Sequence, residues 1–222
     1  MRKISVFIDW KEDTKKTIGE SLNHDLRYWK IKRLAGTFDM YSRVEVIIRQ
    51  NFLVLKEIFI SACARMGGPD LTRKCFQRFV EYAGILDNNL IQGIIDTLFK
   101  ATNFEEEEQD NNQDNALCRF EFLEILVRLA QAKYIDYGTE KSLATALQKL
   151  IQNFILPVKK NFTPWHEWRV NELWCNEVND MLEVNIRAIR KLYDFIAKQK
   201  FIKMRNRIDV VNYSFASIDQ IR

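Results

Sequence analysis

The chain has 222 residues, 47% of them hydrophobic, and a formal net charge of +4. That is enough apolar material for one large or two small domains, and too modest a charge to name a partner by itself. Only 7 Gly and 3 Pro argue against a many-turned all-β fold, so long periodic helices and an all-α class are expected.

No stretch of about 18 apolar residues occurs, and the opening MRKISVFIDWKEDTKK turns to charge too early for a signal peptide. An intracellular protein that does not cross a membrane is expected. Cys63, Cys75, Cys118 and Cys175 form no CxxC pair and sit in or beside apolar runs. Such placement fits buried thiols better than disulfide or zinc partners.

Residues 1–40 form an N-terminal arm in which aromatic and charged residues alternate without a period; Phe7, Trp10, Tyr28 and Trp29 are its candidate anchors. From Tyr41 a long helix is expected. Val44, Ile47, Ile48, Phe52, Leu55, Ile58, Phe59 and Ala62 make one apolar stripe, which stops at Gly67-Gly68-Pro69. Phe76, Phe79, Val80 and Ala83 carry a second helix to Gly84, and Leu90, Ile91, Ile94, Ile95, Leu98 and Phe99 a third. After an acidic block from Glu105 to Asp114, Phe122, Leu123, Leu126, Val127 and Ala130 carry a fourth towards Tyr134. Residues 41–134 therefore read as two helix–loop–helix units.

The remainder, 135–222, reads as a helical C-terminal region. Thr139 is the expected N-cap of a helix with Leu143, Leu147, Leu150, Ile151 and Phe154 on one face, stopped by Pro157. Thr163-Pro164 should start the longest helix, about nine turns if unbroken. It carries Trp165, Trp168 and Trp174, which at that spacing read as core before partner contacts. Beyond Lys203 the pattern breaks, and Ile208, Val211 and Phe215 suggest a short last helix that reads as the start of an unfinished unit.

The stretch with most chemistry is DNNQDNALCRFEF, residues 110–122. Calcium takes about six to eight oxygens, and a twelve-residue loop supplies them from positions 1, 3, 5, 7 (a backbone carbonyl), 9 and a bidentate Glu at 12. With Glu121 last, the other places hold Asp110, Asn112, Asp114, Ala116 and Cys118, with Asn115 where glycine is usual. This resembles the EF-hand superfamily. The first unit carries the same resemblance, because Leu71 and Phe76 align on Leu117 and Phe122. The resemblance implies that the two loops lie side by side through a short strand at those leucines. It also implies a calcium site at Asp110, Asn112, Asp114, Ala116 and Glu121. The first loop has Ala64, Met66, Gly68 and Cys75 at ligand places and is expected to bind no metal. The second has Glu105, Glu106 and Gln109 where its entering helix should be apolar, whereas Leu98-Phe99 would suit a loop beginning near Asn103. Two readings stay open: a working calcium loop, and an EF-hand kept as architecture alone. A truncated third unit around Met204 or Ile208 is weaker than a plain helical hairpin.

Catalysis finds no support in the pattern. His24 and His166 are the only histidines, neither is spaced to activate a Cys or Ser, and no phosphate-binding GK[ST] follows Gly67-Gly68. From Arg187 to Arg207 basic residues outnumber Asp194 heavily, which suggests an acidic partner for Lys198, Lys200, Lys203, Arg205 and Arg207. The leading expectation is a non-enzymatic structural protein within a larger assembly. Degenerate EF-hand units resemble those of cytoskeletal and ciliary proteins, which implies tubulin's acidic tails as a partner. A calcium-responsive sensor is the alternative, and nucleic-acid binding through the basic stretch with Phe201 a further one.

Overall fold

A computed structural model describes residues 13–64, 70–104, 115–160 and 168–205. Among these the fold is helical apart from one two-residue strand pair. Residues Asp13–Phe162 pack as one unit, and residues 168–205 belong to another.

The first unit begins with α1 (Lys15–Arg27), started by a reciprocal cap. The Thr14 hydroxyl accepts from the Thr17 N–H at 3.2 Å, and the Thr14 N–H donates to the Thr17 hydroxyl at 2.8 Å. A single turn, α2 (Lys32–Ala35), leads to α3 (Phe38–Ala64). The stripe read from sequence is the buried face of α3: Val44, Ile48, Leu55 and Ile58 are fully buried. Trp29, expected as an anchor, is buried and meets Tyr41 edge-on at 6.4 Å, and Tyr28 stacks on Phe120 at 5.0 Å. The other expected anchors, Phe7 and Trp10, lie outside the described residues.

Two helix–loop–helix units follow. The first joins α3 through β1 (Leu71–Thr72) to α4 (Arg73–Tyr82); the second joins α5 (Gln92–Asn103) through β2 (Ala116–Leu117) to α6 (Arg119–Ala130). The strands pair antiparallel with Leu71 opposite Leu117 and Thr72 opposite Ala116. Both leucines are fully buried, so the two loops are tied at their exits over the core. Below them Phe76, Phe79, Phe99 and Phe122 form one aromatic cluster, with centroids 5.7 Å apart for Phe79–Phe122 and 6.0 Å for Phe76–Phe99. Gly84 closes α4 with φ of 67°, a conformation that favours glycine.

The core crosses both edges of the segment 41–134. Leu22 on α1 belongs to it, as do Leu143, Leu147, Leu150 and Ile155 beyond α6. After α6 a π turn (Gln131–Ile135) leads to α7 (Leu143–Leu150), a second π turn (Ile151–Ile155) and α8 (Leu156–Lys159). α7 lies across both α3 and α6, and α8 against α3. Two expectations are corrected. Ser142, not Thr139, caps α7, its hydroxyl accepting from the Thr145 N–H, while the Thr139 hydroxyl donates to the Tyr134 carbonyl at 2.9 Å. Pro157 does not end the helix. A proline ring collides with the carbonyl four residues back, and here the preceding turn is widened, with the Leu156 N–H bonding five residues back to Ile151.

In the second unit a π turn (Arg169–Leu173) is followed by a bend at Trp174–Cys175 and then α9 (Asn176–Arg205). The long C-terminal helix is thus broken at the tryptophans. Trp168 is exposed and Trp174 half-buried, so neither is a core residue; Trp165, Thr163 and Pro164 lie outside the described residues.

Candidate functional site

The exits of the two loops meet at the β1–β2 ribbon and set the geometry of the candidate site. Glu121 is fully buried at the third position of α6. Its Oε2 accepts the Cys118 N–H at 3.1 Å and lies 3.4 Å from Cys118 Sγ. The chemistry is that of a capping box, in which a carboxylate satisfies an N–H the helix leaves unpaired. Ala116 is buried in β2 opposite Thr72. On the partner loop the Thr72 hydroxyl and Cys75 thiol are 2.6 Å apart, so both exits close on the residue three places further on.

Burial controls the protonation here. It pushes the Cys118 thiol well above its ordinary value, with the Glu121 carboxylate adding to the effect. Cys63 is pushed up to about 12, first by burial, then by Asp70 and Cys75, and Asp70 itself is raised by burial. At neutral pH Cys63 and Cys118 are therefore neutral thiols, neither nucleophiles nor metal-ready thiolates. The expectation of buried, unpaired cysteines holds for Cys63 and Cys75, while Cys118 and Cys175 are only partly buried and also free.

Of the five expected calcium residues, Asp110, Asn112 and Asp114 lie outside the described residues. Ala116 and Glu121 are brought together at the start of α6, and alone they offer far fewer than the about six oxygens calcium needs. Among the described residues no group of three or more His, Cys, Asp or Glu is arranged to hold a metal ion. α5 ends at Asn103, where Leu98-Phe99 placed it, well before Asp110 in the sequence.

Around this centre lies a set of polar contacts that sequence reasoning missed. Arg119, the first residue of α6, donates from Nε and Nη2 to Asp25 on α1 at 2.6 and 2.9 Å, and Asp25 is 2% exposed. The Lys30 N–H donates to Glu124 Oε2 at 2.9 Å, and Arg128 donates twice to the other oxygen. Lys30 Nζ bonds the Thr102 and Phe104 carbonyls at 2.9 and 2.6 Å, neutralising the negative end of α5. Lys133 bonds the Ile85 carbonyl at 2.7 Å and pairs with Asp87 in the connection between the two units. Only the Glu124–Arg128 pair has a spacing, i,i+4, that sequence alone could have signalled.

Of the basic residues expected to meet a partner, Lys198 is exposed on α9. Lys200, Lys203 and Arg205 lie on the same helix with their side chains outside the description, and Arg207 lies outside the described residues. Among the described residues no helix is long and apolar enough to cross a membrane. Comparisons with protein-family models, curated proteins and solved structures find no match.

Proposed function

We propose that the chain is a non-enzymatic structural and interaction protein built on a pair of EF-hand-like units, held in one arrangement and serving a larger assembly. The observation that carries this reading is that α7 and α8 fill the apolar side of the helix–loop–helix pair from within the chain. Leu147, Leu150 and Ile155 are fully buried there, with α7 lying across α3 and α6. The antiparallel contact of Leu71 with Leu117 supports the EF-hand part of the reading, because both occupy the place where paired loops meet. A sensor would need that apolar side to become available when metal binds. The proposed setting is a cytoskeletal or ciliary assembly, in which tubulin's acidic tails would meet the basic run from Lys198 to Arg207.

Calorimetric titration with calcium, and magnesium as control, tests the choice. The static reading expects no binding heat and no change in thermal midpoint. One-site binding at micromolar affinity, lost in Glu121→Gln and accompanied by newly exposed apolar surface, would replace it with the sensor. That variant keeps the cap, since glutamine serves in a capping box, so its loss of binding would not be a loss of fold. Co-sedimentation with microtubules, with and without the five basic residues neutralised, tests the partner.

A further inference from the structure

Most of the described apolar side chains of α9 between Met181 and Ile196 are exposed. Ile186, Ile189, Tyr193 and Ile196 are each between 41% and 56% exposed, and Leu182 is half-buried. These five follow one another at alternating four- and three-residue steps, which makes a single seam along the helix, the spacing of a coiled coil. A helix with such a stripe is stable when the stripe meets another surface, and exposed apolar strips of this extent mark contacts.

The charges beside the seam select the partner and its direction. With Ile186 and Ile189 as core positions a and d, Glu183 and Arg190 both take position e, and Asn185 and Leu192 take g. In a parallel pair e faces g, and no opposite charges meet. In an antiparallel pair e faces e, so Glu183 of each copy comes opposite Arg190 of the other, twice by two-fold symmetry. The core layers then match Ile186 with Ile189 and Leu182 with Tyr193. Neither Glu183 nor Arg190 has an ion-pair partner among the described residues.

We infer that α9 packs antiparallel on α9 of a second copy of this chain. The seam from Leu182 to Ile196 covers about 20 Å of helix, a short contact at the small end of specific interfaces. So short a seam points to a weak, reversible dimer. Lys191 and Lys198 take position f, on the outer face, which leaves basic side chains available to an acidic partner. The inference rests on α9 alone and stands apart from the EF-hand reading.

Sedimentation equilibrium of the full chain across the micromolar range tests it. The expected result is a concentration-dependent dimer, weakened at least about tenfold by Ile189→Asp. Because Ile189 is exposed, circular dichroism of this variant should match the parent at low concentration. Glu183→Arg and Arg190→Glu should each weaken the dimer, and the double variant should restore it, since opposite charges meet again. A chain that stays monomeric, a dimer indifferent to Ile189→Asp, or charge variants without mutual rescue would each overturn the proposal.

Discussion

Removing either partner of the Asp25–Arg119 pair should destabilise the first unit, and by unequal amounts. The Arg119 side chain is 29% exposed and the Asp25 side chain 3%. In Asp25→Asn the guanidinium can turn towards water and keeps its packing over Phe52, 5.8 Å from the ring. That loss is the net value of a charge-assisted bidentate bond, about 1.5 to 3 kcal/mol. In Arg119→Met the carboxylate stays behind in the protein with its main partner gone, and breaking a buried pair in that way costs about 3 to 5 kcal/mol. The double variant should cost less than the two single costs combined, because neither stranded charge remains. Urea unfolding at pH 7, extrapolated linearly, measures all three. Equal losses below about 0.5 kcal/mol for both single variants, the range of an ordinary surface change, would refute the docking of α1 on α6.

Two further outcomes follow from the same packing. Leu147→Ala should cost about 2 to 5 kcal/mol, the range for a fully buried leucine, and a urea midpoint unchanged from the parent would show that α7 does not fill the space between α3 and α6. Asp87 is held below its ordinary value of 3.8, first by the hydrogen bond from Lys133 and then by the Leu90 N–H. Its stabilisation is present above the unfolded-state value near 3.8 and is lost as pH falls through the lower folded-state value. Asp87→Asn should therefore lie below the parent in thermal midpoint at pH 7 and converge with it in acid; a gap that stays constant down to acid pH would contradict this.

The elements were legible where one strip of sequence carries its own period. The stripe of α3, the apolar faces of α4 to α6 and the break at Gly84 all report on a single element against its surroundings, and the helices appear at those places. The alignment of Leu71 on Leu117 was legible because two loops of one pattern can be laid over each other, and those leucines face each other across the ribbon. Pro157 misled because the rule for a proline assumes an ordinary α turn before it, whereas a π turn stands there. The Asp25–Arg119 and Lys30–Glu124 contacts were out of reach, since each joins residues 94 apart in sequence. No periodicity records such a partnership. For the same reason α7 was readable as an amphipathic helix while the surface it covers was not.

The contacts around α6 bear on whether a metal could move it. Swinging α6 away from α1 and α7 would break Asp25–Arg119, at the net value of a charge-assisted bond, about 1.5 to 3 kcal/mol. It would also uncover side chains such as Leu147, Leu150 and Ile151, each worth about 1.5 to 3 kcal/mol when buried. The combined cost is roughly 6 to 12 kcal/mol. Micromolar calcium binding releases about 8 kcal/mol in all, and only the difference in affinity between two arrangements can shift them. Opening the pair would thus consume most or all of the binding energy of a metal of ordinary sensor affinity. Calcium bound at residues 110–121 is therefore expected to act on the loop, with α6 kept clasped by α1 and α7.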